Sequence, residues 1–238
     1  MRALILNSGT GSRMGDMTRS HPKCMTELAT GQTILSRQIA QLESSGVADI
    51  VITTGPYVEQ IEQYASDIAK RARVAFVNNP MYKETNYIYS IYLTREWLDE
   101  DILLLHGDLV LADGIIERVL DTPGSVMTVS TTQPLPQKDF KAVLDKGRII
   151  AVGVEFFDLA VAAQPLYKLL RNDWKVWLSE IERFIDEGQM TCYAENALNR
   201  TSMNMDLRCL DVKDTLCNEV DTPDDLAFVN RVLKESGE

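Results

Sequence analysis

Ala3-Leu4-Ile5-Leu6-Asn7-Ser8-Gly9-Thr10-Gly11-Ser12-Arg13-Met14-Gly15 decides the reading of this chain. The apolar run at its head reads as a buried strand, and it breaks abruptly into Asn-Ser-Gly. Glycines at a strand end let backbone N–H groups approach phosphate oxygens, because no side chain intervenes. The spacing is not the dinucleotide fingerprint. Its third glycine would fall at Met14, and Thr53-Thr54-Gly55 stands where an acidic residue would close the second strand. Nor is it a Walker loop, which ends in Gly-Lys-Ser/Thr. Arg13 inside the loop and Lys23 in His21-Pro22-Lys23 place two cations beside it. Solvated surface cations need no such loop; a triphosphate whose charge must be neutralised does.

Outward from this loop, apolar runs at Asp49–Thr53, Val74–Asn78, Ile102–Leu105 and Ser125–Thr131 read as further strands. Amphipathic stretches near Leu35–Ser45, Tyr57–Ala72, Ile88–Leu98 and Gly114–Leu120 read as the helices between them. Apolar strands alternating with helices predict a mostly parallel sheet covered on both faces. The expected fold is α/β, a Rossmann-like three-layer αβα sandwich with a mostly parallel mixed sheet. After residue 138 the rhythm changes. Lys141–Val152 reads as a β-hairpin turning at Asp145–Gly147, followed by helices at Ala160–Arg171 and Trp174–Glu187. Thr222-Pro223-Asp224-Asp225 opens a last helix, with Thr222 as N-cap and Pro223 at the first helical position. The expected organisation is one domain, 1–238. Its nucleotide-binding half is about 1–135, a small hairpin and helical acceptor-binding insertion is about 136–215, and 216–238 carries a strand end and the C-terminal helix.

The charge balance narrows the partners. Thirty-five acidic against 24 basic residues give a net charge of −11, which disfavours nucleic acid and anionic membrane surfaces. No run of about 18 apolar residues exists to insert in a membrane. Cys24, Cys192, Cys209 and Cys217 show no CxxC spacing, so neither a zinc site nor a redox motif is indicated. The opening run reads as a strand and not a secretory segment, and the expected location is the cytoplasm.

Ile102-Leu-Leu-Leu-His106-Gly107-Asp108 sets an acid just past a buried strand, at the edge where open α/β sheets bind ligands. Asp108 is placed to hold a hard cation there; a strand-end Asp that only caps a turn is the alternative. His106 is expected to pack beside that site and not to act as a base, because a phosphate or phosphonate nucleophile is already ionised at neutral pH.

Gly9-Thr-Gly-Ser-Arg-Met14 followed by Pro22-Lys23 resembles the G-x-G-x-R … P-K signature of the sugar-nucleotide and cytidylyl transferases, over roughly the first 110 residues. Asn7-Ser8-Gly9 departs from the Ala-Ala-Gly or Ala-Gly-Gly usual there. The resemblance implies Arg13 and Lys23 as catalytic residues, and Asn7, Ser8, Gly9, Thr10, Gly11, Ser12 and Gly107 as nucleotide-binding. It matches Asp221 in Asn218-Glu219-Val220-Asp221 to the second acid holding Mg²⁺ with Asp108; Glu219 is expected on the opposite side of its strand. Tyr87-Ile-Tyr89-Ser90-Ile-Tyr92-Leu93, with Asn86 before it, is similar to the corresponding stretch of bacterial phosphocholine cytidylyltransferases, and more loosely of 2-aminoethylphosphonate cytidylyltransferases. That similarity implies Asn86 and Ser90 near a pyrimidine and favours CTP.

The acceptor pocket is expected from the second half. Tyr193, Trp174, Trp177 and Tyr167 are aromatic candidates for a cationic head group. Glu195 would pair with its ammonium and Lys141 with its phosphate or phosphonate. The expected activity is transfer of CMP from CTP to a small phosphorylated or phosphonylated amino-alcohol such as phosphocholine or 2-aminoethylphosphonate, with homodimerisation open. Two alternatives stand beside it: a sugar-1-phosphate nucleotidylyltransferase using UTP or dTTP, and a regulatory nucleotide-binding module without catalysis.

Overall fold

β1 (Arg2–Leu6) lies inside a nine-stranded mixed sheet with parallel neighbours on both sides. The computed structural model describes residues 1–237. One flank of β1 is β2 (Asp49–Thr54) and then β3 (Arg73–Asn78); the other is β4 (Ile102–His106). The alternation of side chains along β1 builds two cores at once. Ala3 and Ile5 pack with α1 (Ile34–Ser44), α2 (Val58–Ile68) and α4 (Ile115–Asp121) on one face. Leu4 packs on the other with α3 (Tyr87–Leu93), α5 (Arg171–Asp186) and α6 (Ala194–Thr201). The outcome is a Rossmann-like α/β fold with helices on both sides of the sheet.

β5 (Leu109–Leu111) turns away from the main sheet and pairs antiparallel with β11 (Cys217–Glu219). This short ribbon brings chain ends that are a hundred residues apart to one place. Behind it, α7 (Pro223–Ser236) starts in a capping box in which the Thr222 and Asp225 side chains satisfy each other's backbone N–H groups. α7 packs Leu226, Val229 and Leu233 against Met14, Leu28 and Ile34.

β6 (Ser125–Ser130) is followed by the hairpin of β7 (Lys141–Asp145) and β8 (Arg148–Gly153). Lys146 and Gly147 both have positive φ at its tip, 49° and 79°, as a two-residue turn matched to strand twist requires. The segment expected as a helix at Ala160–Arg171 is instead β9 (Ala160–Leu169), a long strand lying between β4 and β6. Pro165 explains the difference. It would break a helix at its centre, and in the sheet it falls where the β6 register slips, Thr128 facing Gln164 while Met127 faces Tyr167. β10 (Leu207–Asp211) completes the sheet between β6 and β8.

Candidate active site

The C-terminal ends of β1 and β4 open into a cleft of about 390 Å³, the position the topology of an open α/β sheet favours. The loop after β1 forms its floor. Gly11 has φ 66°, and a Cβ there would meet the Lys23 Cβ at 3.0 Å. Thr18 closes the loop by donating its hydroxyl to the Gly11 carbonyl at 3.0 Å. Asn7 is fixed through its N–H to Thr53 Oγ1 at 3.0 Å. The Asn7 Nδ2 and the Ser8 hydroxyl are buried on the cleft wall with no partner among the described residues. Such groups cost about 1–3 kcal/mol when left unpaired, so they are poised for a polar ligand.

Lys23 stands at the centre. Its Nζ donates to Asp221 Oδ1 at 2.6 Å and also to Asp108 Oδ2, and Arg13 reaches the same Asp221 oxygen at 2.8 Å. Burial disfavours the Lys23 ammonium, yet the two carboxylates more than offset it and hold its pKa above the ordinary lysine value. Burial likewise opposes ionisation of Asp108, but Lys23 and His106 keep its carboxyl below the usual range.

The acids extend beyond the expected pair. Glu219 faces the same cleft as Asp221, correcting the expectation that it faces away. Residues i and i+2 of an extended segment share a face. Its Oε1 lies 2.8 Å from His106 Nδ1. Burial works against the imidazolium, but the hydrogen bond and charge of Glu219 dominate and raise His106 to about 9. Burial, with the charge of Asp108, also pushes Glu219 upward. Asp139 joins Glu219 and Asp221, their ligand atoms within 4.8 Å of one another, and His106, Asp108 and Glu219 form a second such group. Asp108 Oδ1 is buried without a hydrogen-bond partner. A cluster of carboxylates with an orphaned oxygen fits a divalent hard cation.

Asn86 and Ser90 border the opposite wall. Asn86 caps α3 by accepting from Tyr87 N–H at 2.8 Å. Ser90 is buried and receives Asn79 Nδ2 at 3.0 Å, while the same amide donates to Thr85 Oγ1 at 3.1 Å. Sequence reasoning singled out neither Asn79 nor Tyr87 as a site residue, although both lie in the stretch it quoted.

Aromatic rings line the remaining wall. Tyr87 meets His106 edge-on at 5.0 Å and Tyr193 at 6.0 Å, and Phe140 meets Tyr193 at 5.0 Å and His106 at 6.3 Å. Of the expected acceptor residues, Tyr193 borders the cleft; Trp174, Glu195 and Lys141 do not. Trp174 is fully buried and donates its indole N–H to the Leu98 carbonyl at 2.9 Å, because it sits on the apolar face of α5. Trp177 and Tyr167 are buried in the same core. Glu195 is buried behind the rings, accepting from the hydroxyls of Tyr87 and, at 2.9 Å, Tyr167. Lys141 is buried too, its Nζ donating to the carbonyls of Asp139 at 3.0 Å and Val154 at 2.7 Å. Both of those residues line the cleft, so Lys141 ties the two flanking loops together from behind. Phe140 and Asp139 escaped sequence reasoning because no local pattern marks them.

The chain as a whole is similar to known proteins. The chain is 33% identical over 135 residues to CMP-5'-(3-aminopropyl)phosphonate synthase from Streptomyces rubellomurinus, covering 57% of this chain but only 21% of that protein's length. It is 26% identical to the choline-phosphate cytidylyltransferase of Streptococcus pneumoniae, over 98% of this chain and 99% of the other. The solved structure of CTP:phosphocholine cytidylyltransferase from Streptococcus pneumoniae superposes with a TM-score of 0.81 at 20% identity, over 98% of both chains. A model of the MobA-like NTP transferase domain matches residues 3–195, and with the glycine loop and acid cluster in place the chain belongs to that family of nucleotidyltransferases.

Proposed function

We propose that this protein transfers CMP from CTP to a small phosphorylated or phosphonylated amino-alcohol, releasing pyrophosphate, and that residues 1–238 act as one catalytic domain. The observation that carries the reading is the ring cluster Tyr87, Phe140 and Tyr193 set beside the phosphate loop. Aromatic faces attract an organic ammonium, and the carboxylate of Glu195 behind them favours positive charge. The aminated acceptors of the cytidylyltransferases resembled above agree with this.

In that reaction the acceptor oxyanion attacks the α-phosphorus of CTP. A P–O bond forms to the acceptor while the bond to the bridging oxygen of the β-phosphate breaks, and pyrophosphate leaves with the electron pair. No side chain removes a proton, so the chain's task is positioning and charge neutralisation. Loop N–H groups from Gly9 to Ser12, with Arg13 and Lys23, hold the triphosphate. Asn86, Ser90 and the free donors of Asn7 and Ser8 lie within the walls that would enclose the nucleoside. Asp108 and Asp221, with Glu219 in reach, would hold Mg²⁺, which supplies charge neutralisation at the phosphates when bound.

Pyrophosphate release is the test, with Mg²⁺ and CTP and with phosphocholine, 2-aminoethylphosphonate or glucose-1-phosphate as acceptor. Turnover with an aminated acceptor is expected. Turnover only with glucose-1-phosphate, or only with UTP or dTTP, would overturn the reading in favour of a sugar-nucleotide enzyme. Silence with every pair would leave a nucleotide-binding module.

A further inference from the structure

α1 carries a polar residue in the middle of its apolar face. Leu35, Ile39 and Leu42 face the sheet as a helical stripe, and Gln38 stands among them at 1% exposure. Its Nε2 donates to two backbone carbonyls, His106 at 2.9 Å and Leu109 at 2.8 Å. Those two carbonyls bracket Gly107 and Asp108, the turn that leaves β4 for β5. Main-chain bonds also hold the turn, Gly107 N–H donating to the Leu6 carbonyl at 3.0 Å and Val220 N–H to the Asp108 carbonyl at 3.0 Å, while Lys23 and Glu219 grip the Asp108 and His106 side chains. Gln38 is the side chain that ties the backbone carbonyls at both ends of the segment presenting Asp108. Its own Oε1 is buried without a partner among the described residues, which an apolar residue at this position would avoid.

We infer that Gln38 is a positioning residue that aims the Asp108 carboxylate for divalent-cation binding. The inference rests on the cation-site reading above. The groups that orient a ligating carboxylate typically contribute 10- to 100-fold to metal affinity, and Gln38 does so here through the backbone on either side of the ligand. Without it the His106 and Leu109 carbonyls lose their shared donor, and the turn relaxes about Gly107, its most permissive residue.

The test is calorimetric titration of the full chain with Mn²⁺ alone, comparing wild type, Gln38→Leu, Gln38→Met and Val119→Ala. Val119 is a buried residue of α4 in the same core, so its truncation reports general loosening without touching the turn. Gln38→Met keeps the length and volume of the side chain without its donor and guards against misfolding of the leucine variant. The expected result is Mn²⁺ affinity lowered 10- to 100-fold in the Gln38 variants and unchanged in Val119→Ala. Turnover by the Gln38 variants should recover as Mn²⁺ is raised, the loss lying in the cation requirement and not in kcat at saturation. Equal Mn²⁺ affinity in wild type and Gln38 variants, or equal weakening in Val119→Ala, would overturn the inference. A wild type that binds no Mn²⁺ would overturn the cation reading itself.

Discussion

Lys23 Nζ lies 2.6 Å from Asp221 Oδ1, joining residues 198 apart in sequence, and the same ammonium donates to Asp108. Lys23 thus occupies the position between the two acids that a divalent cation would otherwise balance. Lys23→Met removes that cation and leaves two neighbouring carboxylates facing each other. The expected outcome is a lower Tm in chelator, with a larger Tm rise on adding Mg²⁺ than wild type shows. Turnover should fall about 10²- to 10³-fold, the usual effect of deleting one donor to a developing charge. Thermal denaturation with and without Mg²⁺, beside a turnover assay, checks both. A variant that is no more Mg²⁺-dependent than wild type would show that Lys23 does not balance these acids.

Gly107 has no room for a side chain. A Cβ there would stand 1.8 Å from Asn7 Oδ1 and 2.6 Å from the Leu6 carbonyl. The amide is a side chain that can swing aside, but the carbonyl belongs to β1 and cannot. Gly107→Ala should cost about 1–3 kcal/mol of stability, as overpacking generally does. Adding Asn7→Ala should return part of that loss, and a double-mutant cycle from chemical denaturation measures the coupling. Strict additivity of the two changes would mean that the Asn7 contact is not what excludes a side chain at 107.

How much of this was readable beforehand depended on range in sequence. The glycine loop, Lys23, Asp108 and the capped start of α7 announce themselves locally, because strand ends, turns and caps use few residue types. Asp139 and Phe140 carry no such mark, and Glu219, two residues from the expected ligand Asp221, reads as facing away. They reach the cleft only because the β5–β11 ribbon and the β7–β9 pairing bring distant segments together. β9 differs from its local signal for a related reason: Ala160-Val-Ala-Ala favours a helix when read alone. Burial between β4 and β6 decides otherwise, with Pro165 accommodated at the irregularity. Trp174 and Glu195 were identifiable as functional types but not as buried ones. The apolar stripe of α5 claims the first, and two tyrosine hydroxyls claim the second.

The four thiols are free and unequal. Burial pushes Cys24 and Cys217 up to about 12, in each case against weaker opposing hydrogen bonds. Cys192 and Cys209 are partly accessible and are raised by burial as well. The thiolate is the reacting species, and at pH 8 a thiol of pKa 12 is about 0.01% ionised. Native protein treated with an aromatic disulfide reagent at pH 8 should therefore release at most two equivalents rapidly, and four after denaturation. Mass mapping should find the early label on Cys192 and Cys209. Early modification of Cys24 would mean that the floor of the cleft opens far more than this packing allows.

Tyr193 is the ring on which the proposed acceptor would rest. It is 39% exposed, borders the cleft, and contacts Phe140 and Tyr87 through its ring. If an ammonium head group rests on this ring, Tyr193→Ala removes a cation–π attraction of about 0.5–2 kcal/mol, or about 2- to 30-fold in binding. KM for the aminated acceptor should rise by that factor while KM for CTP stays near the wild-type value. Tyr193→Phe keeps the ring face and should retain most of the affinity, because the attraction belongs to the π-system and not to the hydroxyl. Steady-state kinetics with each substrate varied in turn distinguishes the outcomes. Equal losses in both KM values would indicate a general disturbance of the cleft. A loss in Tyr193→Phe as large as in the alanine variant would assign the interaction to the hydroxyl, and the ammonium-on-ring picture would then fail.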